Sequence, residues 1–215
     1  MKRILLTLSI AAVAAGLFPV CCHAQDGTTQ NEMENPVIQA IMGRRSIRYY
    51  TDTPVEREKL MKIAECGINA PNAMNRQDWE VRIIDDPEYF NGATEIMKKS
   101  GRGFMNTDDP KFKNAFRNAT AAFAIACPDG MEGMLLQNVG LMSENICLAA
   151  YSLGLGTCVM GGPAMTLNHN PELKPYLDKL GFSEGYTLRV IIAVGYPDEA
   201  PEAKPRDASK IKFVE

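Results

Sequence analysis

Apolar residues along this chain fall alternately into stripes of helical period and short unbroken runs of strand length, with capping and turn residues between them. Asn35 followed by Pro36 opens a helix whose stripe is Val37, Ile38, Ile41 and Met42. Thr53-Pro54-Val55-Glu56 reads as a capping box with proline at the first helical position, opening a second helix through Leu60, Met61, Ala64 and Ile68 toward Asn69. Pro71 to Gln77 is then a loop just past a helix end. Trp79 to Ile84 reads as a strand, and Asp85-Asp86-Pro87 closes it and caps a third helix running to about Ser100. Gly101 to Asp109 shows no period and predicts an irregular, lid-forming segment, followed by a short helix around Phe112 to Phe116.

Thr120 to Cys127 is a nearly continuous apolar run ended by Pro128-Asp129-Gly130, the pattern of a strand buried on both faces. The longest helix, Glu132 to Leu153, is apolar around most of its circumference, which makes it central to the core or to a subunit interface; Gly154 stops it. Leu155 to Pro163 is a short apolar piece ending in Gly161-Gly162, where glycines let backbone amides approach a ligand or simply make a turn. Asn170-Pro171 opens a helix ending near Leu180-Gly181, and Tyr186 to Gly195 is a second buried strand before a Pro-rich, charged tail. Strands alternating with helices, without an internal repeat, predict one α+β layered domain.

Composition adds bounds. With 215 residues, 46% hydrophobic and 23% charged, the chain suits one domain with a sizeable core. A net charge of −3 implies no nucleic-acid partner, since a polyanion calls for a broad basic surface. Yet the cations are clustered. Arg44, Ser46 and Arg48 alternate, so in an extended segment they share one face, where guanidinium forks and a hydroxyl converge on a small anion such as a phosphate. A solvated arginine run is the alternative on this segment alone; Arg45 contributes only backbone to such a site.

The N-terminus has targeting character. Lys2-Arg3, the apolar stretch Ile4 to Phe18 and the small residues of Cys22-His23-Ala24 predict a signal peptide over residues 1–24, a mature domain over 25–215 starting at Gln25, and a periplasmic or cell-envelope location. Pro19 interrupts a run already short for a stable membrane span. Cys21 and Cys22 leave lipidation as a rival reading, which Pro19 and Val20 disfavour. Cys66, Cys127, Cys147 and Cys158 lie singly in apolar segments and read as buried free thiols. Only two His occur, His23 and His169, which argues against a His-based triad or a His-rich metal site.

Taken together, these stretches resemble the FMN-dependent nitroreductase family over essentially the whole mature chain. The residues that carry the resemblance are Arg44-x-Ser46-x-Arg48; Pro71, Asn75, Gln77 and Trp79; Gly154-Leu155-Gly156-Thr157 with Gly161-Gly162; and Gly195-Tyr196-Pro197 with Lys204 and Arg206. The resemblance implies a layered fold with a central mixed sheet flanked by helices, an intertwined homodimer, and FMN as cofactor. It implies that Arg44, Ser46, Arg48, Lys204 and Arg206 bind the FMN phosphate and ribityl chain. Pro71, Asn72, Ala73 and Asn75 would line the flavin of the other subunit, and Gly161 and Gly162 would bring amides to its N5/O4 edge. Asn72 and Asp78 depart from the family's Ser and Pro, and Arg76 is either a substrate-facing charge or a solvated one. The implied activity is ping-pong transfer of electrons from NAD(P)H through FMN to an electron-poor acceptor, a nitroaromatic or quinone, with no catalytic side chain and no metal. The alternatives are an exported FMN-binding or carrier protein, and reductive dehalogenation or flavin breakdown on the same scaffold.

Overall fold

Eight consecutive residues, Ala121–Pro128, form the strand β2 on which two layers of helices are built. The chain, a computed structural model, is described over residues 35–100, 105–130 and 132–215. The expected leader, its cleavage after Ala24 and the first residues of the expected lid lie outside them. Four strands, β1 (Glu80–Ile84), β2, β3 (Gly156–Met160) and β4 (Tyr186–Gly195), lie in the order β1-β2-β4-β3. Every strand pair is antiparallel, so the mixed sheet expected from the resemblance reduces here to one isolated parallel bridge, between Ser46 and Thr157.

The alternation within β2 explains why its sequence is apolar throughout. Ala122 and Ala124 face one layer, with α3 (Pro87–Lys99) and α5 (Gly162–His169); Phe123 and Ile125 face the other, with α2 (Arg57–Ile68) and α4 (Glu132–Ser152). Small strand residues are matched by large helix-side ones: Tyr89, Phe90 and Phe116 pack over the alanines, with ring centroids 5.0 Å apart for Phe90 and Phe116. On the opposite face Leu60, Ile63, Met142 and Ile146 are fully buried, each such side chain contributing about 1.5–3 kcal/mol relative to exposure.

The caps at Asn35 and Asp86 hold. Asn35 Oδ1 accepts from Val37 N at 2.9 Å to start α1 (Pro36–Gly43), and Asp86 accepts from Glu88 N to start α3. The Thr53 capping box does not form. Val55 is buried, the chain stays extended to Glu56, and α2 begins at Arg57 with the Glu56 carboxylate held instead by Tyr196 Oη and Lys59. The helix expected around Phe112 to Phe116 is absent too. There Asn118 Oδ1 accepts from Lys113 N and Asn114 N, and Asn114 Oδ1 from Phe116 N and Asn118 N, so side-chain amides satisfy the backbone in place of a helical ladder. Between β3 and the turn at Pro171–Leu173 lies a helix that the sequence pattern did not suggest, α5, and the helix expected from Pro171 is shortened to α6 (Lys174–Lys179).

The stripe of α1 is not in the core. Only Ala40 is buried there, while Val37 and Met42 are 61% exposed and Ile41 50%. Leu136, Leu141 and Tyr151 on α4, and Met61 and Ile68 on α2, also reach the surface. Cys127, Cys147 and Cys158 are buried and Cys66 half-buried, all free thiols. Among the described residues no helix is long and apolar enough to cross a membrane.

Candidate functional site

The segment after α1 is placed by its odd member. Ile47 N donates to Thr157 O at 2.9 Å, and the Ile47 side chain packs on Gly156, where an added Cβ would sit 2.6 Å from Ile47 Cγ1. Glycine at 156 therefore lets the segment lie against the edge strand β3. Tyr50, buried beside Gly195, donates from Oη to Ile47 O at 2.7 Å and locks the same stretch. With Ile47 and Tyr50 turned inward, Ser46 and Arg48 turn outward.

They meet the tail there. Ser46, Arg48, Lys204 and Arg206 line one cavity of about 200 Å³, with Arg45 and Glu202 on its wall. Arg48 Nη1 donates to Ser46 O at 3.1 Å and Arg206 Nη1 to Lys204 O at 2.8 Å, so each guanidinium keeps further N–H groups for a ligand. The Arg48 backbone N–H is held by Glu199 Oε1.

Arg44 does not join this cavity within the protomer. Its Nε lies 3.5 Å from Glu144 Oε1 on α4, and it lines a neighbouring cavity of about 670 Å³ with Tyr151 and Thr157. That Nε is buried without a hydrogen-bond partner among the described residues. Arg45 goes beyond a backbone role: its Nη1 donates to the carbonyls of Met42 and Arg44, both at 2.7 Å, as it lines both cavities.

The second cluster lies elsewhere. Pro71 to Gln77 contains a 3-10 turn, Ala73–Asn75, with Met74, Asn75 and Gln77 in the left-handed region at φ 54°, 52° and 54°. Asn72 braces the loop, its Oδ1 accepting from Gln77 N at 2.8 Å, and Asn138 Oδ1 on α4 accepts from Ala73 N at 3.2 Å. Arg76 pairs with Asp78 at 2.7 Å, so both unusual charges of this loop are spent on each other. The loop shares no lining residue with the basic cavity. It meets α4 at Asn138, whereas Arg44 meets it at Glu144 and Gly43 lies at Tyr151, roughly 9 and 20 Å further along at 1.5 Å per residue.

Gly161 precedes α5 at φ −85°, and a Cβ there would touch nothing within 4 Å. Neither conformation nor packing inside the protomer requires glycine at 161, in contrast to Gly156. The room it leaves faces outward.

Side chains missed by the sequence reading secure the segment 105–118 to the basic strand. Asn118 Nδ2 donates to Arg48 O at 3.3 Å, Lys111 Nζ stands 5.4 Å from the Tyr49 ring centroid, and Tyr49 Oη donates to Asp109 Oδ2. That last bond is the main cause holding the Asp109 carboxyl below the usual carboxylate range. A depressed folded pKa stabilises above the unfolded value, about 3.9, and the contribution is lost as pH falls through the folded value. Tyr49→Phe is therefore expected to remove part of the acid sensitivity. Melting temperatures of both proteins between roughly pH 2 and 5 test this, and parallel curves would refute it.

The buried thiols near these cavities are not poised as nucleophiles. Burial raises the thiols of Cys147 and Cys158, with the guanidinium of Arg44 opposing it at the first and those of Arg48 and Arg117 at the second. His169 sits on α5 with Nδ1 2.7 Å from Met165 O. No group of three or more His, Cys, Asp or Glu that could hold a metal occurs among the described residues. The arrangement can bind an anion and offer amides to a flat ligand.

The sequence pattern of the nitroreductase family matches residues 41–196. A putative NADH dehydrogenase/NAD(P)H nitroreductase of Archaeoglobus fulgidus is 28% identical, over 75% of this chain and 86% of its own. An NAD(P)H FMN reductase of Bacillus subtilis is 30% identical, over 80% of this chain and 70% of its own. Among solved structures, a nitroreductase with bound FMN from Desulfitobacterium hafniense superposes with a TM-score of 0.76 at 25% identity, covering 85% of this chain and all (100%) of that one.

Proposed function

The chain belongs to the nitroreductase family, and from that premise we propose that it is an FMN-dependent oxidoreductase that takes electrons from NAD(P)H and passes them to an electron-poor acceptor, a nitroaromatic or a quinone. The observation that carries this is the cavity in which Ser46, Arg48, Lys204 and Arg206 converge from opposite ends of the chain. Three cations and a hydroxyl fit the phosphate of FMN, and Arg44 Nε in the neighbouring cavity, ion-paired with Glu144 but without a hydrogen bond, is a further donor suited to an anion.

FMN, when bound, supplies the hydride and electron transfer in two half-reactions. The protein's part is to hold and orient it. Ser46, Arg48, Lys204 and Arg206 fix the phosphate end, and Gly161-Gly162 leaves space for backbone N–H groups to meet the ring edge. Pro71, Asn72, Ala73 and Asn75 serve as the ring-lining loop.

Because this loop meets α4 at Asn138, while Gly43 and Arg44, which lead into the segment of the basic cavity, meet it at Tyr151 and Glu144, a complete site is best supplied by two chains. The exposed apolar residues of α1 and α4 support the same reading, since a second copy of the chain is the partner a self-complementary apolar face fits. The homodimer and the assignment of individual site residues are thus part of this proposal. Export to the cell envelope joins it on the strength of residues 1–24 alone.

The test is spectroscopic. Purified protein loaded with FMN is expected to show flavin absorbance that NADH or NADPH bleaches without oxygen and that a nitroaromatic or quinone restores. Flavin uptake without bleaching by either nicotinamide would sink the enzymatic reading and leave an FMN-binding protein.

A further inference from the structure

Asn138 stands out among polar side chains of the core. It lies at 4% exposure on the buried face of α4, one turn from Leu135 and Met142 and next to Val139, where the helical pattern calls for an apolar residue. One arm of its amide is used: Oδ1 accepts from Ala73 N at 3.2 Å. The other is not. Nδ2 is buried with no hydrogen-bond partner among the described residues, a condition that buried side-chain groups rarely tolerate, because an unmet donor forfeits its hydration.

The loop it touches is itself unrelaxed. Met74 is left-handed at φ 54°, a conformation costly for a residue with a long side chain, and that side chain is exposed rather than anchored. The loop's own braces are local, from Asn72 to Gln77 N and from Arg76 to Asp78. Among the described residues, its hydrogen bond to the helical layer is the one to Asn138. A half-used buried amide thus stands under a strained loop that lines the cofactor.

We propose that Asn138 is a positioning residue for FMN: its Oδ1 fixes the Ala73 amide at all times, and its Nδ2 takes a backbone carbonyl of the same loop when the loop closes on the ring. A carboxamide can grip an N–H and a C=O of one backbone segment together, and here one half of that grip is already made. The loop's closure then satisfies the orphaned donor, and cofactor affinity includes that bond. The proposal rests on the FMN reading above.

Two substitutions separate the arms. Asn138→Asp keeps an acceptor for Ala73 N and removes the donor; Asn138→Leu removes both. FMN titrations followed by flavin fluorescence are run with melting curves of the apo and loaded proteins. Asn138→Asp is expected to raise the Kd for FMN about tenfold, with the apo protein also melting lower because a carboxyl is buried at 4% exposure, and Asn138→Leu to lower both affinity and apo stability. An Asp variant with unchanged Kd overturns the proposal, whether its melting is unaltered or falls equally in both forms. So does a weaker dimer at unchanged FMN affinity, which would assign the donor to a subunit contact.

A measurement on unaltered protein guards against a variant that fails to fold. In wild-type protein labelled with nitrogen-15 at asparagine, the Asn138 side-chain amide is expected to shift downfield and exchange more slowly with solvent once FMN is added; no change overturns the proposal. Failure of the wild type to take up FMN at all would defeat the cofactor reading, and this one with it. Normal uptake with indifferent variants defeats Asn138 alone.

Discussion

Arg206→Ala is expected to weaken FMN binding by about 1.5–3 kcal/mol, roughly tenfold to 150-fold in Kd, the range for a hydrogen bond to a charged group. Arg206 comes from the tail and Arg48 from the segment after α1, yet both line the cavity with Ser46. Arg48→Ala should cost a comparable amount. Two controls make the result specific. Riboflavin, which lacks the phosphate, should bind wild type and Arg206→Ala alike. Arg57→Ala, which removes an exposed pair with Asp85, should leave FMN affinity unchanged. Because the cavity is open to water, affinity should also fall as salt is raised, and less steeply in the variant. An Arg206→Ala protein that holds FMN as tightly as the wild type would remove the phosphate assignment.

That assignment shows what the sequence made legible. The alternation of Arg44, Ser46 and Arg48 survives for two of the three, because Ile47 and Tyr50 are turned inward by Thr157, Gly156 and Gly195. Period-two geometry places alternate side chains on one face when a neighbouring strand fixes the other. Arg44 escapes the rule because the chain leaves α1 at that residue and Glu144, a hundred positions away, takes its guanidinium. A contact of that range leaves no local trace in a sequence.

The same distinction runs through the fold. Caps at Asn35 and Asp86 were legible because the capping oxygen and the amide it accepts are two residues apart. The box at Thr53 misled because Tyr196 and Lys59 hold the Glu56 carboxylate that the box would use. At α5 the signal was ambiguous: Gly161-Gly162-Pro163 reads as a break, yet proline suits the first turn of a helix, and Met165 N closes onto Gly161 O at 2.9 Å. Asn138 could have been found. A polar residue at helical spacing from Leu135, Met142 and Ile146 in the longest apolar helix predicts a buried amide with a specific partner.

Ile41→Asp is expected to separate the subunits and release flavin in one step. Ile41 is half exposed in the protomer, on a helix whose other large apolar residues, Val37, Ile38 and Met42, are exposed as well, so no packing among the described residues explains the stripe. If a second copy covers it, the substitution places an unpaired carboxylate in a desolvated contact, and two-fold symmetry places it there twice. Each such burial costs several kcal/mol, enough to raise the dimer dissociation constant by at least about 100-fold. The protomer itself should be indifferent, since a change at an exposed position lies within about 0.5 kcal/mol. Sedimentation velocity should therefore show monomer, and circular dichroism should show unaltered helix content. On the proposed two-chain site, flavin should be lost in proportion to the monomer formed, because the loop of Asn72 and Asn75 shares no lining residue with the basic cavity of its own chain. A monomer that keeps its FMN would place the whole site in one chain; a dimer that persists would place the interface away from α1.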